Sequence, residues 1–304
     1  MNLPIAMAEL PEPEHKTWRI KDGICITGLD WCSDKPLAIL SHANGFCAAT
    51  WSPVAQRLLS RYHVVALDAR GHGKSSTPPP PDAYNWQFLV DDLLQVARQI
   101  LATKNAPHIA LAAGSSLGGV ISAAAAAQRP DLFRRVVMLD PPLLPNEEVR
   151  TRLGIDWPPE AQSGGRSLAD QVRQRRSVWP DRAAARNAWR RKPMFAEWTN
   201  QAFELYLEHG LRDRPDGDLE LCCPPEVEAT IFEQTAGLDI FQLAKNVLCP
   251  VQVVHASLGV FPISLFREMA SVFPQGSLIS LEGGHLLPME SPELTAELLL
   301  GPDG

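Results

Sequence analysis

The sequence predicts an α/β protein in which helices cover both faces of a mostly parallel sheet. Over the first half of the chain, short apolar runs of the kind that form doubly buried strands alternate with segments of helical length. The alternation stops near Pro141 and returns at Val251, so a separate segment interrupts it. Strands that alternate with helices are typical of a doubly wound parallel sheet.

The chain is expected to open with two antiparallel strands, at residues 17–20 and 24–31, because Asp22-Gly23 between them suits a tight hairpin turn. The buried strands that follow are predicted at 37–41, 63–68, 108–113 and 136–140, with helices at 51–60, 86–101 and 117–128. After the interruption, strands are predicted at 251–256 and 277–281, and helices at 262–273 and 292–300.

The interrupting segment, residues 141–245, is predicted to be an inserted, mainly helical lid, and residues 1–140 and 246–304 form the core domain. Its helices are expected near 168–178, 182–190, 201–209 and 225–234. Its aromatic residues either line an apolar acyl pocket or form the lid's own small core: Trp179, Trp189, Phe195, Trp198 and Phe203. The arginines between residues 166 and 192 form either a solvated helix face or a basic rim that attracts an anionic substrate or a partner.

Composition excludes several classes of protein. The formal net charge of −7 argues against nucleic acid as a partner, because phosphate binding needs a basic surface. The six cysteines include no CxxC pair, which is typical of buried thiols in a reducing compartment. No signal peptide and no apolar run of membrane-spanning length is recognisable. We therefore expect a cytoplasmic protein without a membrane span.

Two neighbouring serines lie in a glycine-rich stretch, and their spacing distinguishes them. The pattern GxSxG, from Gly114 to Gly118, is centred on Ser116 and not on Ser115. Glycines at these two offsets allow a sharp strand-to-helix turn that exposes the central side chain. The pattern also suits an ordinary Gly/Ser-rich loop, but a buried strand before it and a helix after it favour a nucleophile. Such a serine needs a base within reach and donors for an oxyanion.

The predicted base is His285, in the stretch EGGHLLPME that follows the last predicted strand. A lone histidine is more often structural. Here a Gly-Gly pair at a strand end, with Pro-Met-Glu soon after, indicates a loop that presents the imidazole. We expect His285 to accept the proton of Ser116.

These stretches together resemble the α/β-hydrolase superfamily. To the elbow at Ser116 and the loop around His285 the chain adds DARGHGKS, from Asp68 to Ser75, which is similar to the family's DxRGxGxS loop. The resemblance covers the predicted core domain on both sides of the lid and implies an α/β-hydrolase fold in a serine hydrolase branch with an inserted lid. The motifs are specific for fold and much less so for substrate.

The resemblance also implies an oxyanion hole. His42-Ala43-Asn44 follows the strand 37–41, where the family has His-Gly and then the residue that donates a backbone amide. Ala43 departs from the usual glycine, but Asn44 takes the donor position, and Leu117, after the nucleophile, supplies the second amide. The family implies structural roles for His42 and for His72.

The acid of the expected serine–histidine–acid triad is the residue that is hardest to assign. Relatives commonly carry it after the strand that follows the lid, but here that segment, residues 254–262, reads VHASLGVFP and has no carboxylate. A carboxylate is needed to hold the imidazole tautomer and stabilise the imidazolium. Asp140 ends the strand after the nucleophile, where certain haloalkane dehalogenases and the cofactor-free quinaldine dioxygenases carry theirs. We favour Asp140 as the acid over a role as a strand cap, and Glu282 is the third choice.

The predicted function is a serine hydrolase that cleaves a small to medium carboxylic ester or related acyl substrate through an acyl-enzyme at Ser116. Its expected partner is that small molecule, and no cofactor or metal is implied. A serine at the elbow argues against dehalogenase and epoxide-hydrolase chemistry, which need a carboxylate nucleophile. Two alternatives stay open: carbon–carbon bond hydrolysis or cofactor-free oxygenation on the same scaffold, and a non-catalytic ligand-binding homologue.

Overall fold

A computed structural model describes residues 11–155, 167–234 and 238–301 of the chain. The part before residue 141 contains six strands and three α-helices among its described residues. The strands are β1 (Glu14–Arg19), β2 (Cys25–Trp31), β3 (Leu37–Ser41), β4 (His63–Asp68), β5 (Leu111–Ser115) and β6 (Val136–Leu139). The helices are α1 (Ser52–Leu58), α2 (Trp86–Lys104) and α3 (Leu117–Gln128).

The segment 141–245 contains both helices and strands. The helices are α4 (Glu147–Leu153), α5 (Leu168–Arg173), α6 (Arg182–Trp189), α7 (Asn200–His209), α8 (Pro225–Glu233) and α9 (Ile240–Leu243). The strands β7 (Val178–Trp179), β8 (Leu211–Asp213) and β9 (Leu219–Leu221) pair antiparallel in the order β7-β9-β8. The prediction of a mainly helical segment did not include this small sheet.

The predicted helix at 168–178 is wrong in its second half. Helix α5 ends at Arg173, and Val178 and Trp179 form β7. Pro180 follows Trp179 directly, and a residue before proline is driven from the helical to the extended region. The proline therefore favours the extended backbone of β7, whose last residue it follows.

The last part of the chain returns to the main sheet with β10 (Val251–Ala256) and β11 (Gly276–Leu281) and adds α10 (Ile263–Val272), α11 (Leu287–Glu290) and α12 (Pro292–Leu300). Among the described residues the main sheet has eight strands in the order β1-β2-β4-β3-β5-β6-β10-β11. The pairs β1–β2 and β2–β4 are antiparallel, and the other pairs are parallel. The N-terminal hairpin and the mostly parallel sheet are confirmed.

Helices cover both faces of the main sheet. Alternate residues of a strand point to opposite faces, and accordingly Ile39 and Leu40 of β3 belong to two different apolar clusters. One cluster includes residues of α2, α3 and α10, and the other includes residues of α1 and α12. Because neighbouring strands from β4 to β11 in the sheet order are parallel, their carboxyl ends lie at the same edge of the sheet. The loops at that edge carry the candidate site.

The aromatic residues of the segment 141–245 form a core. Trp179, Trp189, Phe195, Trp198, Phe203 and Tyr206 are all buried. Their cluster continues into the first part of the chain, because the ring of Phe46 lies 5.3 Å from that of Trp198 and 5.1 Å from that of Tyr206. Of the two interpretations of these residues, the structure favours the packed core over the open pocket.

Many of the arginines between residues 166 and 192 pair within the same segment. Arg173 on α5 bridges Glu226 and Glu233 on α8, and Arg186 pairs with Glu204. The guanidinium of Arg190 lies 3.7 Å from the ring centroid of Phe203. These contacts connect helices of the segment to one another, so much of the charge expected for a basic rim is neutralised locally.

The described residues include no helix that is both long enough and apolar enough to cross a membrane. All six cysteines are free thiols, and four of them are buried: Cys47, Cys222, Cys223 and Cys249.

Candidate active site

Ser116 lies at the turn between β5 and α3 with the strained backbone angles φ 52° and ψ −121°. The flanking glycines make this turn possible. A Cβ atom on Gly114 would lie 2.0 Å from the carbonyl carbon of Gly118, and one on Gly118 would lie 2.2 Å from the Ser41 oxygen. The side chain of Ser115 is buried, and its hydroxyl has no hydrogen-bond partner in the described part of the chain.

The structure brings Ser116, His285 and Asp140 together. Ser116 Oγ lies 2.9 Å from His285 Nε2, and His285 Nδ1 lies 2.7 Å from Asp140 Oδ2. In the neutral tautomer that fits both contacts, Nδ1–H donates to the carboxylate and Nε2 accepts from the serine hydroxyl. The carboxylate is fully buried, whereas about a third of the imidazole side chain is exposed (34%). The arrangement can move a proton from the serine to the imidazole.

Asp140 follows β6 in the left-handed region, with φ 41°, and is held by β10. Its N–H donates to Val254 O at 2.9 Å, and Oδ1 accepts from the Ala256 amide at 3.0 Å. The second oxygen, Oδ2, is thereby directed to the imidazole. The segment 254–262, which lacks a carboxylate, supplies an amide that orients the carboxylate of the neighbouring strand.

The loop around His285 is held by Glu290, whose role the sequence reasoning missed. Glu290 Oε2 accepts from the Gly284 amide at 2.7 Å and Oε1 accepts from the Leu286 amide at 3.1 Å, so the two bonds bracket His285. The signal in the sequence was the Pro-Met-Glu stretch shortly after Gly-Gly-His, which the short helix α11 turns back onto the loop. No hydrogen bond among the described residues joins Glu282 to His285.

The two predicted oxyanion donors are backbone amides without an internal acceptor. Within the described ranges, neither Asn44 N nor Leu117 N donates to another protein atom. For Leu117 this is the ordinary state of the first N–H of a helix. The Asn44 side chain is engaged elsewhere, since Nδ2 donates to Glu228 O at 3.0 Å. Both amides remain available for a ligand oxygen.

Two buried histidines hold the loop that carries Asn44. His42 Nε2 accepts from the Ala69 amide at 3.0 Å, and His72 Nε2 accepts from the Gly45 amide at 2.9 Å. Burial lowers the pKa of His42 and lowers that of His72 well below its ordinary value. Both rings are therefore neutral and able to accept, which agrees with the structural roles implied for them.

A group that could hold a metal ion lies away from this site. Asp30, Cys32 and His63 have ligand atoms within 4.8 Å of one another, at the end of the sheet opposite Ser116. His63 Nε2 lies only 2.6 Å from Asp30 Oδ1. Two ligands of one tetrahedral zinc ion would lie about 3.3 Å apart. The contact is therefore a hydrogen bond between buried side chains.

Comparison with known proteins agrees with this architecture. A model of the alpha/beta hydrolase family matches residues 38–298, so the chain belongs to that family. A protein named as carbamate hydrolase RutD from Caulobacter vibrioides is 30% identical over 272 residues, which cover 88% of this chain and 89% of that protein. The protein of the same name from Caulobacter segnis is 31% identical, but the match spans only 39% of this chain and 43% of that protein.

Two further likenesses extend over most of the chain. The 3-oxoadipate enol-lactonase 2 of Acinetobacter baylyi is 24% identical over 262 residues, 86% of each protein. The crystal structure of an E-2-(acetamidomethylene)succinate hydrolase superposes with a TM-score of 0.74 at 22% identity, covering 93% of this chain and 96% of that one. The relatives bear the names of hydrolases, and the chain is a hydrolase of the α/β fold.

Proposed function

We propose that this hydrolase cleaves a small to medium carboxylic ester or related acyl substrate through an acyl-enzyme at Ser116. The observation that carries the proposal is the continuous hydrogen-bond chain from Ser116 Oγ through His285 to Asp140, with contacts of 2.9 and 2.7 Å. A serine hydroxyl becomes nucleophilic when a base accepts its proton as it attacks, and this chain provides such a base together with the group that orients it.

In the proposed reaction, Ser116 Oγ attacks the acyl carbon while His285 Nε2 takes its proton. Asp140 stabilises the resulting imidazolium, and the amides of Asn44 and Leu117 bind the oxyanion of the tetrahedral intermediate. The imidazolium then gives its proton to the leaving alcohol, and the ester bond breaks. Water, deprotonated by His285, attacks the acyl-enzyme, releases the carboxylic acid and restores the serine hydroxyl.

The names of the relatives support attack at an acyl carbon but differ in the bond that is broken. They include a carbamate hydrolase, an enol-lactonase and a hydrolase of an acetamidomethylene succinate. Esters, lactones, carbamates and amides all pass through a tetrahedral oxyanion when a serine attacks them. We therefore propose an acyl substrate, with the ester as the first class to test.

We further propose that residues 141–245 act as a lid over the site. The free thiols support a reducing compartment, so we also propose that the enzyme works in the cytoplasm.

The experiment is labelling with a fluorophosphonate probe followed by turnover of a substrate panel. The panel contains short and medium p-nitrophenyl esters, a lactone and a carbamate. We expect labelling of the wild type and of the matched control Ser115→Ala, and none of Ser116→Ala. Folded wild-type protein that neither reacts with the probe nor turns over any panel member would contradict the proposal and favour a non-catalytic homologue.

The position of Asp140 after β6 supports a second candidate function, cofactor-free oxygenation. The cofactor-free quinaldine dioxygenases, which are similar to the α/β hydrolases in fold, carry their acid at this strand. In that reaction His285, oriented by Asp140, would deprotonate a heteroaromatic substrate, and Ser116 would not be acylated. Oxygen consumption that persists in Ser116→Ala and is lost in His285→Ala would favour it over ester hydrolysis.

A further inference from the structure

Two hydrogen bonds join the loop that carries Asn44 to the segment 141–245. Asn44 Nδ2 donates to the main-chain oxygen of Glu228 at 3.0 Å. The Tyr206 hydroxyl donates to Gly45 O at 3.0 Å, and this bond is buried. The two contacts lie on either side of the peptide bond that joins Asn44 to Gly45. The segment therefore holds the backbone next to the proposed oxyanion donor.

The side chain of Glu228 packs against the same backbone. Gly45 has φ +86°, and a Cβ atom at this position would lie 2.6 Å from Glu228 Oε1. Glu228 lies on α8 and is only 6% exposed. The space between Gly45 and Glu228 would not admit even a methyl group, so the loop has little room to move toward α8 and the carboxylate acts as a stop behind Gly45.

A half-buried arginine keeps the carboxylate in place. Arg175 Nη1 lies 2.6 Å from Glu228 Oε2, and Arg175 Nη2 donates to Cys223 O at 3.3 Å. Burial raises the pKa of Glu228 to about 7, against the opposing effect of the guanidinium. An ionised Glu228 carboxylate is shielded from water, so moving it away from Arg175 would leave a buried charge without a partner and would cost free energy.

We propose that Glu228, held by Arg175, and Tyr206 are positioning residues that set the distance of the Asn44 amide from the oxyanion that forms when Ser116 attacks the acyl group. This inference rests on the proposed cleavage of an acyl substrate through an acyl-enzyme at Ser116. None of the three side chains needs to touch the substrate. They act through the loop backbone, and their effect is expected in the transition state.

The physical reason is the steep geometry of oxyanion binding. A donor stabilises the tetrahedral intermediate only when it lies about 2.7–3.1 Å from the developing oxyanion, and loss of one such donor costs roughly 10²–10³ in kcat. Leu117 N is fixed by the elbow itself, since the residue opens α3. Asn44 N belongs to a loop, so its position depends on what the loop packs against. A displaced amide should lose part of that factor.

The test compares Glu228→Ala with Glu226→Ala. Both residues lie on α8 and both pair with an arginine at or just after α5, but Glu226 is exposed and pairs with Arg173, away from the loop. At pH 8, we expect Glu228→Ala to lower kcat on the best panel substrate by about tenfold to a hundredfold, with KM changed less than about threefold. Glu226→Ala should keep both constants within about twofold of the wild type.

A second readout isolates the oxyanion. A small alkyl trifluoromethyl ketone forms a hemiketal oxyanion on an active serine, so its inhibition constant should rise by about the same factor as kcat falls. Tyr206→Phe, which removes only the hydroxyl and keeps the ring in its aromatic cluster, gives a variant that folds if Glu228→Ala does not. We expect it to lower kcat about threefold to tenfold with a parallel rise in the inhibition constant.

The outcomes separate the two proposals. Folded wild-type protein that the fluorophosphonate probe does not label and that turns over no panel member would overturn the proposed acyl-enzyme reaction and this inference with it. Labelled and active wild type, with kcat and ketone affinity unchanged in Tyr206→Phe and in folded Glu228→Ala, would overturn this inference alone. Equal losses in the Glu228 and Glu226 variants would also overturn it, because the effect would then be general to α8.

Discussion

Asp140 and Glu228 are both buried carboxylates beside the candidate site, and they are held in different ways. Asp140, with 0% exposure, accepts from the Ala256 amide through one oxygen and faces the His285 imidazole with the other. Glu228 faces Arg175 at 2.6 Å, but its Oε2 has no partner in hydrogen-bond geometry within the described residues. The first carboxylate is oriented by directed bonds, and the second is held by charge and packing.

The difference suits two different tasks. Directed bonds fix the lone pairs of Asp140, as orienting an imidazole requires. Glu228 is desolvated without full compensation, so its protonated form is favoured and its pKa rises. A carboxylate of this kind is a poor choice for a fixed charge in catalysis, but its bulk can still support a backbone. Removing the directed bond of Asp140 is expected to have the largest effect on activity.

Asp140→Asn should lower kcat by about 10⁴ with the fold intact. The asparagine amide can donate to Nδ1 of His285, and the ring proton would then lie on Nε2. A protonated Nε2 cannot accept the proton of Ser116. Steady-state kinetics and circular dichroism check this. The matched variant Glu282→Gln should stay within about twofold of the wild type. A loss of less than about tenfold in Asp140→Asn would return Asp140 to the role of a strand cap.

Glu228 should make stability fall as the pH rises between about 4.5 and about 7. Its folded-state pKa of about 7 exceeds the ordinary 4.5, so the folded protein binds more protons than the unfolded chain in this window. The difference is worth on the order of 3 kcal/mol, fully present below pH 4.5 and lost as the pH rises through about 7. Arg175, Tyr206 and Cys223 are the other titratable groups that act on Glu228 or are acted on by it.

Urea unfolding at pH 5 and at pH 8 measures this contribution. The free energy of unfolding of the wild type should drop further between the two pH values than that of Glu228→Gln, which has no proton to lose. Glu226→Gln is the control, and its drop should match that of the wild type. Equal drops in all three proteins would show that Glu228 is ionised across the whole window.

A smaller effect, about tenfold in kcat, is expected for Glu290→Gln. A glutamine has one acceptor oxygen, so either the Gly284 or the Leu286 amide loses its partner, at about 1–3 kcal/mol for a buried donor. The control is Glu293→Gln on the next helix, whose carboxylate pairs with Arg57 at the surface. If kcat is unchanged in Glu290→Gln, the loop around His285 does not depend on this bracket.

Local sequence predicted the elements whose geometry is encoded by neighbours. Glycine spacing distinguished Ser116 from Ser115 because the two flanking positions admit only glycine. A Cβ atom on Gly114 or Gly118 would lie 2.0 or 2.2 Å from the facing backbone. The buried strands were recognisable because both of their faces are covered. The predicted helix 168–178 is wrong beyond Arg173, where the chain leaves α5 and enters the strand β7 before Pro180. The small sheet β7-β9-β8 was missed because its strands are only two or three residues long.

The sequence by itself determined a doubly wound α/β sheet and the elbow serine, because periodicity and glycine spacing act over a few residues. The resemblance of its motifs to the α/β hydrolases added the family and a short set of candidates for the partners of that serine. Tertiary structure decided which carboxylate faces His285, since Asp140 and His285 are 145 positions apart and meet only at the edge of the sheet. It also decided that Glu228 packs behind Gly45, a contact across 183 positions that leaves no pattern in either stretch. Contacts of this range depend on how β6, β10 and α8 converge, and that convergence is a property of the whole fold.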